Sequence, residues 1–153
     1  MPKVKPPIAK TFDFFQSVIP TLQNAGHYNN YNKNIHTFFV YPKRSLNMFD
    51  YSVVNKVVEA IVADLNPRMI VIFGSVAKGC ATDTSDIDVM VVMDTDRRFV
   101  ERSFPIQRAL IKRKINVDRD IFVVTPEEFG QDIDDETSLV HEAFNTGYVV
   151  YEV

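Results

Sequence analysis

Three short stretches carry the residues whose types and spacing could do chemistry. The first is Gly74-Ser75, directly after the apolar run Met69–Phe73. A strand that turns through glycine into a helix start leaves backbone N–H groups facing one concavity, an arrangement that binds phosphate. The Ser75 hydroxyl can add a donor to a terminal phosphate. Read alone, the same pair is more often a plain turn. The second stretch is Asp86-Ile87-Asp88, opening the apolar run that ends at Met93. Residues i and i+2 of a strand share a face, so both carboxylates point one way and Ile87 the other. Two such carboxylates repel unless a cation sits between them. An oxygen-only pair suits a hard divalent ion, with Mg²⁺ the usual choice. A solvated strand end is the bland alternative. The third stretch is Asp118-Arg119-Asp120, leading Ile121–Val124. If that strand lies beside Asp86–Asp88, a third carboxylate joins the pair. Three carboxylates suffice to hold two ions roughly 3.5–4 Å apart.

The elements that must position these residues alternate between strand and helix. Val54, Val57, Val58, Ile61, Val62 and Leu65 recur at helical spacing, and Asn66-Pro67 closes that helix. Met69–Phe73 reads as a buried strand, Ser75–Lys78 as a short helix stopped at Gly79, and Ile87–Met93 as a second buried strand. Asp94 begins a helical stretch to about Lys114, kinked or split at Pro105. Val117–Val124 is a third strand, Pro126–Phe129 a helix start, Thr137–Asn145 a helix stopped at Gly147, and Tyr148–Tyr151 a last strand. The class is therefore α/β with a central sheet.

Residues 1–50 differ from the rest. They hold five of the eight prolines and six of the twelve phenylalanines. Phe12, Phe14, Phe15, Val18, Ile19 and Leu22 predict a short amphipathic helix between Pro7 and Gly26, and Ile35–Tyr41 predicts a strand. We expect an aromatic-rich extension packed on a main domain of residues 51–153.

Composition narrows the function classes. The 153 residues carry 17 Lys or Arg against 20 Asp or Glu, a formal charge of −3, with 46% hydrophobic residues. These values exclude a disordered tail and a basic nucleic-acid coat. A single cysteine, Cys80, excludes an intramolecular disulfide scaffold and a multi-cysteine zinc site. No apolar run approaches the roughly 20 residues of a membrane span. The start lacks a signal-peptide core, so a cytoplasmic protein is expected. His27, His36, His141 and Cys80 show no spacing that would build a nucleophilic triad. The basic residues Arg97, Arg98, Arg102, Arg108, Lys112, Arg113, Lys114 and Arg119 read either as a solvated face or as a patch for an anionic acceptor or acidic partner.

Ten residues separate Ser75 from Asp86, giving Gly-Ser-x10-Asp-x-Asp. This pattern resembles the signature of the nucleotidyltransferase-fold superfamily, the group that includes DNA polymerase β. Phe73-Gly-Ser-Val-Ala-Lys-Gly79, Ser85-Asp-Ile-Asp-Val89 and Asp120–Phe129 are similar to its phosphate loop, metal motif and third-carboxylate strand. Ala143–Glu152 resembles the closing helix–Gly–strand of the small members called minimal nucleotidyltransferases. The resemblance spans about residues 51–152 and implies a mixed central β-sheet flanked by helices. It also implies transfer of a nucleoside monophosphate, AMP above all, from an NTP to an acceptor hydroxyl on a protein or small molecule. By position, Asp86, Asp88 and Asp120 would ligate two Mg²⁺ ions, with Asp120 also a candidate general base. Gly74 and Ser75 would cradle the NTP phosphates. Lys78 stands where the family often has arginine, and keeps a point charge without the bidentate fork. Asp118 competes with Asp120 for the third position. Small members pair with helical HEPN-type partners in toxin–antitoxin modules, so such a partner is one expectation, and a homo-oligomer another. Nucleic-acid and membrane partners are not expected. A non-catalytic nucleotide-binding or partner-binding module of the same fold is the alternative, and a metal-dependent glycosyltransferase a third reading.

Overall fold

The computed structural model describes residues 49, 50 and 52–153. The helix expected before Gly26 and the strand expected at Ile35–Tyr41 lie outside the described residues.

Helix α1 (Ser52–Leu65) buries Val54, Val57, Val58, Ala60 and Ile61. It ends where Asn66 takes a left-handed φ of 53°, which asparagine tolerates better than most residues. Strand β1 (Met69–Phe73) follows and is buried on both faces. A short helix α2 (Gly74–Ala77) leads to β2 (Ile87–Val92). A 3₁₀ turn at Phe99–Glu101 precedes α3 (Phe104–Lys112), then β3 (Arg119–Val124) and α4 (Pro126–Asp132). Helix α5 (Leu139–Thr146) and β4 (Tyr148–Glu152) complete the described chain.

The four strands form one mixed sheet in the order β3-β2-β1-β4. Strand β1 runs antiparallel to β2 and β4, and β2 runs parallel to β3. Two cores sandwich it. On one face Ile70, Ile72, Ile87, Val89, Val91 and Val123 meet α1 and α3. On the other Met69, Val71, Phe73, Met90, Val92 and Val124 meet α4 and α5. This is why β1 and β2 read as unbroken apolar runs: a strand covered on both sides has no polar face to alternate with. Between Ile70 and Val71 the register with β4 slips, which puts both Val150 and Tyr151 on the α1 side.

The helical stretch expected from Asp94 is shorter than the sequence reading. Residues 93–98 are not helical, and α3 begins only at Phe104, with Pro105 in its first turn. Proline lacks the N–H that a helix interior needs but is well suited to a helix start. The Arg102 guanidinium also donates to the Arg97 carbonyl, holding the chain in a turn there. Helix α3 ends at Lys112, and Lys114 adopts a left-handed φ of 56°. Among the described residues no helix is long and apolar enough to cross a membrane.

Candidate active site

All three chemical stretches meet at one end of the sheet. Because β1 is antiparallel to β2, the C-terminal end of β1 lies beside the N-terminal end of β2, and Phe73 is the partner of Asp88. Because β3 is parallel to β2, its N-terminal end lies there too, and Asp88 is directly opposite Asp120. Directly opposed residues share a face, so both carboxylates stand on the α4–α5 side. They continue the row that Met90, Val92, Phe122 and Val124 bury further along.

The register separates the two candidates for the third position. Asp120 pairs with Asp88, whereas Asp118 precedes β3 and its carbonyl accepts the Ile87 N–H at 3.0 Å. Asp86, exposed, precedes β2 by one residue.

Gly74 is pressed against this cluster. It sits at φ +64°, and a Cβ there would lie 2.0 Å from the Asp88 carboxylate oxygen Oδ2. Only glycine satisfies both the backbone conformation and the approach. Downstream, the Lys78 N–H donates to the Gly74 carbonyl at 3.0 Å and the Cys80 N–H to the Ser75 carbonyl at 3.1 Å, closing the loop back on itself. The Cys80 thiol points to the same Ser75 carbonyl, 3.6 Å away, which gives it a structural place in this loop.

Asp88 is a strained acid. Partial burial pushes its pKa above the usual carboxylate range, and the nearby charges of Asp120, Asp86 and Glu142 push the same way. Lys78 opposes them. Glu142 on α5 was not foreseen from the sequence. It is 54 positions from Asp88, and its α5 sequence gives it the look of an ordinary exposed helix residue. No short-range spacing could have singled it out. His141, its neighbour, is turned away: its Nδ1 is 2.8 Å from the Ile133 carbonyl, in keeping with a structural role.

The donor set at this end is oxygen-only and acidic, which fits a hard divalent cation and not zinc or a soft metal. Among the described residues no three Asp, Glu, His or Cys side chains draw together tightly enough to enclose an ion.

Arg119, between the two aspartates of its triplet, faces the opposite side, as strand alternation requires. Its Nη1 donates to the Val117 carbonyl at 2.6 Å, and its buried Nε has no hydrogen-bond partner.

Comparison with known proteins identifies the family. The family model for the polymerase beta nucleotidyltransferase domain matches residues 55–152. No curated protein matches the chain. Among solved structures, the chain is similar to a Sulfolobus solfataricus protein assigned as a nucleotidyltransferase, at 20% identity and TM-score 0.46, covering 66% of this chain and 78% of that one. It is also similar to a toxin–antitoxin structure with AMP-PNP, at 19% identity and TM-score 0.46, covering 65% of this chain and 73% of that one. A mutant of the toxin–antitoxin MntA–HpeT is similar at 17% identity and TM-score 0.45, with the same coverage of 65% and 73%. The match over residues 55–152 spans most of the chain, and the chain belongs to the polymerase beta nucleotidyltransferase family.

Proposed function

We propose that this protein is a Mg²⁺-dependent nucleotidyltransferase that moves a nucleoside monophosphate, AMP from ATP in the first instance, onto an acceptor hydroxyl. The observation that carries this reading is the register of Asp88 on Asp120, with the Gly74 backbone against the Asp88 carboxylate. A glycine-only approach to a partly buried carboxylate with like charges around it supports a site for a cationic ligand. A site without a cationic ligand has no physical reason to keep these acids together.

In this reading Asp86, Asp88 and Asp120 would hold two Mg²⁺ ions, which when bound would neutralise the triphosphate and make the acceptor hydroxyl more acidic. The chain's own residues do the rest. The Gly74 backbone and the Ser75 hydroxyl take the β- and γ-phosphates, with no side chain at position 74 to hold them off. Lys78, exposed and within electrostatic reach of Asp88, adds positive charge where the phosphates lie. Asp120, exposed on the outer strand, takes the proton of the attacking hydroxyl. The new bond joins the acceptor oxygen to the α-phosphorus. The bond to the bridging oxygen breaks, and pyrophosphate leaves. Transfer of this kind needs positioning and charge neutralisation more than covalent catalysis.

Residues 51–153 are the catalytic domain in this reading, and the setting is cytoplasmic. The acceptor is a protein or a small molecule. A HEPN-type toxin partner is the specific protein acceptor that the resemblance to minimal nucleotidyltransferases supports.

Incubation with each labelled NTP and Mg²⁺ or Mn²⁺ tests the reading, with the double variant Asp86→Ala/Asp88→Ala as control. Pyrophosphate release that the variant loses supports transfer, and label on a protein identifies a macromolecular acceptor. Metal-dependent NTP binding without turnover, even with candidate acceptors supplied, would favour the non-catalytic module. Neither binding nor turnover would refute the site.

A further inference from the structure

Helix α3 turns Ile106, Ala109 and Leu110 to the core. Its opposite side carries Phe104, Arg108 and Ile111, at positions i, i+4 and i+7. The outer face of such a helix is ordinarily polar. Here Phe104 is 55% and Ile111 69% exposed, and the 3₁₀ turn just before adds Phe99 at 60% and Val100 at 71%. Seven large hydrophobic residues are exposed among the described residues, and four of them fall between positions 99 and 111. Phe104 and Ile111 thus share the outer face of α3, and exposed apolar residues grouped on one face mark an interaction site more often than single ones do.

The surroundings of this patch are positive. Residues 97–114 contain seven Lys or Arg and one acid, Glu101. Arg98 pairs with Glu101, Arg102 with Glu128 and Arg113 with Asp64. Arg97, Arg108, Lys112 and Lys114 make no ion pair among the described residues. The charge decides between occupants. Residues 1–48 carry six Lys or Arg against one acid, Asp13, so this chain's own N-terminal segment has the wrong sign. A second copy meeting the patch about a two-fold axis would set basic on basic.

We propose that the outer face of α3, with the 3₁₀ turn before it, docks a different protein, one presenting an acidic segment with an apolar stripe. Phe104 and Ile111 receive the stripe, and Arg108 and Lys112 meet the acids beside it. This surface is on the α1–α3 side of the sheet, away from Asp88, so it does not depend on the transferase reading.

The test uses the full chain and a labelled helical peptide with leucines at i, i+3, i+4 and i+7 flanked by glutamates, followed by fluorescence anisotropy. Saturable binding is expected. It should weaken with salt and fall at least about tenfold in Ile111→Ser and in Arg108→Glu. Both positions are exposed, so unchanged melting temperatures should show that the variants fold. Asp88→Asn should bind the peptide as the wild type does, which keeps docking separate from catalysis. A photo-cross-linker at position 111 should capture the peptide. Equal binding of a scrambled peptide or of one with lysines for glutamates would overturn the proposal. So would cross-links to residues 1–48 or to a second copy.

Discussion

At one end of the sheet Asp88 faces Asp120 across two parallel strands, its pKa raised by partial burial and by the charges of Asp120, Asp86 and Glu142. At the other end Glu128 is held by everything around it. Arg102 grips it with two guanidinium nitrogens, at 2.6 and 3.1 Å, and also donates to the Val123 carbonyl at 3.3 Å. The same carboxylate accepts the Thr125 N–H at 2.9 Å, while the Thr125 hydroxyl accepts the Glu128 N–H at 3.2 Å, a complete capping box at the start of α4. The Glu128 pKa falls as a result, with the Arg102 hydrogen bond the main cause. One fold thus has an acid satisfied from within the chain and an acid whose charge its surroundings disfavour. The difference teaches where to look for function. Acids that fold the chain are compensated from within the chain, whereas acids that act are left to be compensated by a ligand.

The sharpest way to break this contrast is at Gly74. Gly74→Ala should cost about 1–3 kcal/mol from its left-handed backbone alone. The clash with Asp88 should add to that and should abolish transfer. Urea unfolding and pyrophosphate release measure the two effects. Unchanged stability and activity would mean that the close approach has no importance.

At the anchored end, Arg102→Ala should destabilise by about 1–2 kcal/mol, the lower figure being favoured because the Glu128 side chain is 39% exposed. Nucleotide transfer should barely change. A large loss of activity with little loss of stability would reverse the roles assigned to the two ends.

Acidity should separate the ends by sign. Glu128 is below its usual value of 4.5, so its contribution is present above that pH and is lost as pH falls through its depressed folded value. Asp88 is above its usual value of 3.8, so ionising it costs stability as pH rises through its raised folded value. Melting curves against pH should therefore show a loss on the acid side that Glu128→Gln flattens. They should also show a decline on the higher side that Asp88→Asn flattens. If both variants alter the same limb, the contrast fails.

The smallest effect belongs to the cap. Thr125→Ala should cost about 1 kcal/mol by removing the hydroxyl from the start of α4. Chemical denaturation would read it, and a change in nucleotide binding would not fit.

Much of this was legible before the fold. The Asp86-x-Asp88 spacing predicts a shared face, although Asp86 lies one residue before β2, and Gly74-Ser75 after an apolar run marks the turn. Asp120 could not be told from Asp118 by spacing, because both share a strand parity; the β2–β3 register sets Asp120, not Asp118, opposite Asp88. Glu142 was hidden because its approach to Asp88 is purely tertiary. The anchored end was equally hidden: Arg102 and Glu128 are 26 positions apart. In the sequence Arg102 looked like one more member of a basic run. The helix expected from Asp94 erred because propensity extended it through residues that the Arg102 contacts hold in a turn.

We propose that the acids around Asp88 are grouped for a cation-bound nucleotide. Thermal unfolding of wild type and Asp88→Asn, each with and without Mg²⁺ and ATP together, tests it most directly. Without ligand, Asp88→Asn should melt at the same temperature as wild type or higher, since a repelled charge is gone. With Mg²⁺ and ATP, wild type should gain stability as mass action requires, and the variant should gain little. Equal stabilisation of both proteins, or a variant that melts well below wild type without ligand, would contradict the account.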